Sequence, residues 1–254
     1  MMIKETSRPY HFLQLIGNRV RWQLVLSLAK SDLSVQELVD RVKSPQNVVS
    51  YHLKLLKEGN LISEHQSISD GREIFYRLNF SEISAQFKMS AMSIHPALIT
   101  GLEVPFAISG CRILIVCTHN SARSQMAEGI FRAKISNHIQ VDSAGTQPLE
   151  VHPLAIQALK ELQIDISNQR AKPLDAFLDK EYDYVITVCD RARDTCPVFR
   201  GSPETIHWSI PDPIETSGSD EDRLAAFRAV ANDLSVRIDY FLARISAEQR
   251  FTSN

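Results

Sequence analysis

The residues best suited to do chemistry lie in a short segment that begins at Cys117 and ends at Ser124. Residues 113–116 form an apolar run that predicts a buried strand, and residues 125–133 predict a helix. A loop from a strand to a helix directs backbone N–H groups at one point, where the helix N-terminus adds partial positive charge. An oxyanion of phosphate size fits such a loop, which consists of Thr118, His119, Asn120, Ser121, Ala122 and Arg123.

Three side chains of this segment predict nucleophilic chemistry. Arg123 can bind two oxyanion oxygens at once. Cys117 lies at the floor of the loop, where the N–H groups, the helix charge and Arg123 are expected to lower its pKa toward the thiolate form. Ser124 can donate a hydroxyl hydrogen bond to the sulfur. A buried structural cysteine near a surface arginine would show the same spacing, but strand, loop and helix together favour the nucleophile.

The surrounding elements alternate between strands and helices. Strands are expected at residues 141–146, 182–188 and 206–210, and helices at residues 153–162 and 223–245. This order predicts an α/β fold, a parallel sheet with helices on both faces, in which ligands bind beyond the carboxyl ends of the strands. Cys117, Cys189 and Asp212 all follow predicted strand ends, within a domain expected to cover residues 111–254.

Composition limits the class of protein. The chain has 254 residues, 44% of them hydrophobic and 23% charged, which is typical of one large or two ordinary globular domains. Residues 1–95 carry 12 Lys and Arg against 9 Asp and Glu, whereas the remainder carries 16 against 21. No apolar run of membrane-spanning length and no signal-peptide core are found, and three of the four cysteines lie in motifs. We therefore expect no membrane association and a cytoplasmic location.

Residues 1–95 predict a winged helix-turn-helix, mostly helical with a β-hairpin wing. Helices are expected before Gly17 and over residues 19–29. Ser34 and Glu37 form the pattern of a capping box for a third helix. Ser44 is the expected cap of a fourth helix, with Pro45 at its first position and its end at residue 58. Strands at residues 61–64 and 73–78 are joined by an Asp70-Gly71 turn, a strong hairpin signal.

In this design the second helix of the pair enters the DNA major groove. The residues expected to read base edges all lie on this helix: Gln46, Asn47, Ser50 and Tyr51. Lys54 of the same helix and Arg72 of the wing are expected to bind phosphates. A helical packing domain with a polar face is the alternative. His11, His52 and His65 are zinc ligands in principle, but core or surface roles are favoured, and no metal site is predicted.

Residues 96–110 contain two prolines and two glycines and predict a linker. Before them, Ile83, Phe87, Ala91 and Ile94 keep helical spacing, which predicts a dimerisation helix.

The segment Val48-Val-Ser-Tyr-His-Leu-Lys-Leu-Leu-Lys-Glu-Gly-Asn-Leu-Ile62, followed by the wing, resembles the ArsR family of dimeric bacterial repressors over residues 10–80. The resemblance implies a homodimer that binds operator DNA. Several members of that family sense arsenite or metals through cysteines in the third helix. Residues 35–41 here contain no cysteine, and none precedes Cys111, so sensing by thiolates at that place is not expected.

Four motifs in residues 111–245 resemble the arsenate reductases that share the fold of low-molecular-weight tyrosine phosphatases and are recycled by thioredoxin. They begin at Cys117 (CTHNSARSQMAEG), Asp142 (DSAGT), Cys189 (CDRARDTCPVF) and Asp212 (DP). The resemblance implies that Cys117 attacks arsenate, Arg123 binds it and Asp212 is the general acid. It implies that a Cys117–Cys189 disulfide forms when arsenite is released, and that Cys196 then attacks this disulfide and passes the oxidation to thioredoxin. It also implies no tightly bound cofactor.

Some members of that family hold potassium beside the loop. Asn120, Glu128 and Ser143 match three of its ligands, and Lys172 replaces the fourth, a carboxylate, so no potassium requirement is expected. The resemblance thus predicts a fused repressor and arsenate reductase. The alternatives are a regulator whose second domain only senses oxyanion or redox state, and a phosphatase joined to a DNA-binding domain. Hydrolysis needs neither Cys189 nor Cys196, which favours reduction, while the choice between thioredoxin and glutaredoxin stays open.

Overall fold

The structure of the protein is a computed structural model that describes residues 3–67, 71–95, 98, 108, 110–135 and 139–252. Contacts divide the chain into two units, residues 1–105 and residues 106–254. Asp70 of the predicted turn and most of the predicted linker lie outside the described residues. No helix in the described part of the chain has the length and apolar character needed to cross a membrane.

The first unit combines five helices with a small sheet among its described residues. The helices are α1 (Ile3–Ile16), α2 (Arg19–Leu28), α3 (Val35–Val42), α4 (Gln46–Glu58) and α5 (Phe80–Ile94). The strands are β1 (Leu33–Ser34), β2 (Ile62–Gln66) and β3 (Ile74–Leu78), in the antiparallel order β1-β3-β2. The predicted helix-turn-helix with a hairpin is confirmed, and β1 is a strand that the sequence did not reveal.

Local sequence explains where the two central helices begin. Ser34 N donates to Glu37 Oε2 at 2.9 Å and Ser34 Oγ caps Glu37 N, so the predicted capping box is confirmed. The prediction that Ser44 caps α4 is wrong. Pro45 is the capping residue, with a ψ of 145° and no side-chain cap, because its carbonyl already accepts from Val48 N and Val49 N at 3.0 Å. The helix therefore starts one residue later than predicted.

The second unit contains a four-stranded parallel sheet. Its strands are β4 (Cys111–Cys117), β5 (Ile139–Gly145), β6 (Tyr184–Thr187) and β7 (Glu204–His207), in the order β5-β4-β6-β7. Its helices are α6 (Arg123–Lys134), α7 (Pro153–Glu161), α8 (Asp190–Asp194) and α9 (Asp220–Thr252), with 3-10 turns at Leu174–Phe177 and Pro213–Glu215. The predicted parallel α/β fold is confirmed, and α9 is longer than expected.

The sheet order creates the place for a site. Residues 113–116 of β4 are fully buried, as expected of a central strand covered on both faces. The chain leaves β4 first toward β5 and later returns to β6 on the other side, so the strand order reverses beside β4. Ligands of open α/β sheets bind at such a switch point, beyond the carboxyl ends. Cys117 ends β4 and pairs with Gly145 at the end of β5.

Candidate active site

Cys117 lies at the bottom of the loop that joins β4 to α6. Its side chain is buried, and its Sγ lies 2.9 Å from Ser124 Oγ, as predicted. The backbone N–H of Asn120 donates to the same sulfur at 3.1 Å. Two donors thus converge on Sγ, and negative charge that develops on the sulfur can be stabilised by both.

The prediction of a lowered Cys117 pKa is not met. Burial is the largest influence and raises the pKa of Cys117, and the nearby Cys189 raises it further. Arg123 and the hydrogen bonds from Ser124 act in the opposite direction and do not outweigh burial. The sequence revealed the donors but not the depth of the sulfur, and burial favours the neutral thiol over the thiolate.

Asn120 fixes the shape of the loop. It has a φ of +46°, and its Nδ2 donates to Ser124 Oγ at 2.8 Å and to Ser143 Oγ at 2.7 Å. A side chain on Gly145 would bring a Cβ within 2.8 Å of Asn120 N and 2.7 Å of Thr118 O. The small-residue turn at Gly145 therefore lets the loop fold against β5 without a clash.

Further hydrogen bonds hold the exposed side of the loop. Gln147 N and Leu149 N donate to the carbonyls of Thr118 and His119 at 2.8 and 2.9 Å. Ser121 Oγ donates to the carbonyl of Glu150 at 2.6 Å. The predicted oxyanion loop is thus held in one conformation before any ligand binds, which lowers the cost of binding.

Arg123 joins the loop to the predicted general acid. Its Nη1 donates to the carbonyl of Ile210 at 3.0 Å, and its Nη2 forms an ion pair with Asp212 Oδ2. Asp212 is held from the other side as well, because its Oδ1 accepts from Ile214 N at 3.2 Å. Loop and acid therefore converge, but in this structure the guanidinium is engaged by the carboxylate and must exchange partners to bind an oxyanion.

Cys189 lies beside the loop. Its Sγ is 3.3 Å from Oγ1 of Thr118, the residue that follows Cys117 in the chain. The same sulfur caps α8 by accepting a hydrogen bond from Ala192 N at 3.4 Å. Cys196 follows α8 and is half-buried, and burial raises the pKa of Cys196 to about 11. All three sulfurs are free thiols. Cys189 is therefore within reach of the site, whereas Cys196 lies at the far end of a short helix.

The place that the resemblance assigned to potassium holds an ammonium group. Lys172 Nζ lies 2.9 Å from Glu128 Oε2, and that carboxylate is completely buried. Ser143 Oγ donates to the same oxygen, and Arg132 pairs with Glu128 from the adjacent turn of α6. Because Ser143 also accepts from Asn120, the charge of Lys172 is linked to the residue that shapes the loop.

The predicted DNA-contacting residues are all exposed to solvent. Five lie on α4 and one follows the hairpin turn: Gln46, Asn47, Ser50, Tyr51, Lys54 and Arg72. Val49, Leu53 and Leu56 on the opposite face of α4 are buried in the core of the first unit. The helix therefore presents its polar face outward. Among the described residues no three His, Cys, Asp or Glu side chains form a possible metal site.

The structure reveals functional candidates that the sequence did not. Asp190, His207 and Ser209 form a buried polar cluster next to Cys189. His152 caps α7 by accepting from Leu154 N at 3.2 Å and stacks on Phe227. Burial and Arg223 lower the pKa of His152, partly offset by Asp212. In the sequence, these residues show only as polar side chains at the ends of apolar strands. That pattern does not tell whether the side chains form a cluster or lie apart.

Fold and site together define a class: α/β proteins with a parallel sheet and a buried cysteine at the bottom of the loop that joins a central strand to a helix. The chain belongs to the low molecular weight phosphotyrosine protein phosphatase family, whose model matches residues 112–251. Residues 18–64 match the bacterial regulatory protein arsR family, so an ArsR-family helix-turn-helix domain precedes the catalytic-type domain.

Several relatives of the second domain are named arsenate reductases. One from Halalkalibacterium halodurans is 40% identical over 129 residues, which are 51% of this chain and 93% of the relative. One from Staphylococcus xylosus is 37% identical over 132 residues, or 52% of this chain and 96% of the relative. A solved arsenate reductase in the phosphate binding state is 33% identical, covers 53% of this chain and 98% of its own, and has a TM-score of 0.47.

Proposed function

We propose that this chain is an arsenate reductase fused to a DNA-binding repressor. One observation carries the reductase part: Cys117, Arg123 and Asp212 converge at a preformed oxyanion loop, with a second free thiol, Cys189, beside it. A phosphatase needs the first three groups only. A thiol next to the nucleophile serves a reaction that also transfers electrons.

The first step is attack on arsenic. Arsenate, a tetrahedral dianion, displaces the Asp212 carboxylate from Arg123 and takes the two guanidinium donors. The thiol proton of Cys117 passes to a substrate oxygen, and a sulfur–arsenic bond forms. The Asp212 carboxylate, released from its ion pair, takes that proton and returns it to the departing hydroxyl group as one arsenic–oxygen bond breaks, so the group leaves as water.

The second step reduces arsenic. The Cys189 thiol gives its proton to an arsenic-bound oxygen as its sulfur attacks Sγ of Cys117. The sulfur–arsenic bond breaks, its electron pair converts As(V) to As(III), and the remaining arsenic-bound oxygens take protons from water. Arsenite leaves and a Cys117–Cys189 disulfide remains. Thr118 supports this step because its hydroxyl lies within hydrogen-bonding distance of Cys189 Sγ.

The third step carries the oxidation to the surface. Cys196 attacks Cys189, releases Cys117 as a thiol and forms a Cys189–Cys196 disulfide for thioredoxin to reduce. Seven residues of continuous helix span about 10.5 Å, whereas a disulfide needs Cα atoms about 4.4–6.8 Å apart. Because α8 occupies Asp190–Asp194 of this interval, it must unwind for the bond to close.

The first domain is proposed to bind operator DNA as a homodimer. The exposed polar face of α4 supports groove binding, and apolar side chains on α5 support association. Phe87, Met92 and Ile94 are 44%, 52% and 73% exposed, and apolar side chains exposed on one helix suit contact with a second copy of the chain. Domain limits of 1–95 and 111–254 with a linker between them, and a cytoplasmic location, are part of the same proposal.

Thioredoxin-coupled turnover tests the reductase. The full chain with thioredoxin, its reductase and NADPH should consume NADPH when arsenate is added, and Cys117→Ser should consume none. Cys196→Ser should release one arsenite per chain and stop as a Cys117–Cys189 disulfide. Phosphatase activity without arsenate turnover would contradict the proposal in favour of a phosphatase, and oxyanion binding with neither activity would favour a sensor.

A further inference from the structure

A buried polar cluster adjoins Cys189 and takes no part in the chemistry described above. Asp190, His207 and Ser209 are each at most 4% exposed. Ser209 Oγ donates to Asp190 Oδ1, and His207 Nε2 lies 3.2 Å from the same oxygen. Burying a carboxylate is costly unless it is fully hydrogen-bonded. Apolar side chains would fill this space at lower cost, so the cluster indicates a role beyond packing.

The cluster attaches the start of α8 to two strands. His207 ends β7, and its Nδ1 lies 2.8 Å from Oγ1 of Thr187, which ends β6. With a hydrogen on Nε2, His207 donates to Asp190, and Nδ1 can then accept from the Thr187 hydroxyl, which also lies 3.4 Å from the carbonyl of Ile206. Cys189 is therefore held on both sides, by β6 before it and by Asp190 after it.

Beyond Asp190, most side chains of residues 191–196 are exposed or half-buried, and among them Ala192 is fully buried. Arg191, Asp194 and Thr195 are solvent-exposed, and Cys196 is half-buried. A five-residue helix has little stability of its own. The interval between the two cysteines thus divides into a fixed start that carries Cys189 and a weakly held remainder that ends in Cys196.

We propose that Asp190 is a positioning residue for the second thiol step. Its carboxylate, held by His207 and Ser209, keeps Cys189 at the loop, and the rearrangement of residues 191–196 belongs to the later step. The proposal rests on the arsenate reduction proposed above and deepens it.

The chemistry of that step explains the need for such a hold. The attacking sulfur of Cys189, Sγ of Cys117 and the arsenic must be nearly in line when the sulfur–sulfur bond forms and the sulfur–arsenic bond breaks. A displacement of the nucleophile by about 1 Å can slow a reaction of this kind by about 100-fold. Of the thiols, the first step uses Cys117 only, so it does not require Cys189 to be in line.

The test uses the full chain with Cys196→Ser, which is expected to stop at the Cys117–Cys189 disulfide. Arsenate is added, samples are quenched over time, and the disulfide is quantified by mass spectrometry. Asp190→Ala should slow its formation by about 10- to 100-fold. Asp190→Asn, whose Oδ1 still accepts both hydrogen bonds, should stay close to the parent rate. Asp194→Ala removes an exposed carboxylate from the same helix and serves as the matched control.

A second readout separates positioning from general damage. Protection of Cys117 by phosphate against iodoacetamide reports oxyanion binding and should be unchanged in Asp190→Ala. If that variant does not fold, Ser209→Ala, which removes one of the two donors, should show a smaller slowing with the same unchanged protection. The proposal is overturned if the measured variant forms the disulfide at the parent rate. It is also overturned if phosphate protection is lost in parallel with the rate. Failure of the parent chain to form any disulfide overturns the arsenate reductase function instead.

Discussion

Replacing Lys172 tests whether a built-in ammonium group substitutes for a bound cation. Lys172 pairs with a carboxylate, Glu128, that has no exposed surface, while its own side chain is 29% exposed. Removing one partner of a buried pair costs about 3–5 kcal/mol. Arg132 and Ser143 still contact Glu128, and water can reach the vacated place, so we expect about 2 kcal/mol for Lys172→Ala. For a chain of this size that corresponds to a Tm lower by about 4–8 °C.

Potassium should restore much of this loss in Lys172→Ala only. The substitution leaves a space next to Glu128, Ser143 and the loop, where a monovalent cation can bind. At a potassium concentration about 100-fold above its dissociation constant, binding adds about 2.7 kcal/mol to stability. Lys172→Met removes the charge but fills the space, so it should be destabilised and not be rescued.

The assay is thermal unfolding in potassium chloride and in choline chloride at equal ionic strength, with arsenate turnover measured in the same buffers. The unsubstituted chain should show the same Tm and turnover in both salts. Lys160→Ala, which removes an exposed lysine from α7, is the matched control. A potassium-dependent unsubstituted chain, or a Lys172→Ala variant as stable as its parent in choline chloride, would refute the reasoning.

Three further predictions follow from the site and from the first domain. Asp212→Asn should lower kcat for arsenate by about 10²–10⁴-fold, since the departing oxygen loses its proton donor. It should also lower the phosphate concentration that half-protects Cys117 from alkylation, because Arg123 no longer has a competing carboxylate; weaker protection would contradict the ion-pair exchange. Burial raises the pKa of Cys196 to about 11, so its alkylation rate in the reduced protein should increase about tenfold per pH unit above neutrality and level off only near that pKa; a plateau near pH 8 would be inconsistent with burial. DNA binding should weaken steeply with salt, and Arg72→Ala should lower affinity for all sequences alike whereas changes at Asn47 alter sequence preference, as measured by gel shift.

Sequence predicted most elements because their signals are local. The capping box at Ser34 involves residues three apart, and the helix-turn-helix and the parallel sheet follow from hydrophobic periods within single segments. The Cys117 loop was equally accessible, since strand, loop and helix are consecutive. Errors arose where contacts with other residues determine the local structure. Pro45, and not Ser44, caps α4, and β1 forms because it pairs with β3.

What the sequence determined by itself is the inventory of this protein: a loop with Cys117 and Arg123, three motif thiols, an acid at Asp212 and a DNA-binding type of fold before them. Tertiary structure decided how these groups act on one another. Arg123 lies against Asp212, 89 residues away in the chain, Lys172 reaches Glu128, and burial raises the pKa of Cys117 despite its donors. Such pairings depend on which strands lie side by side and how deeply a group is buried, and neither distance nor desolvation is encoded in the spacing of residues along a chain.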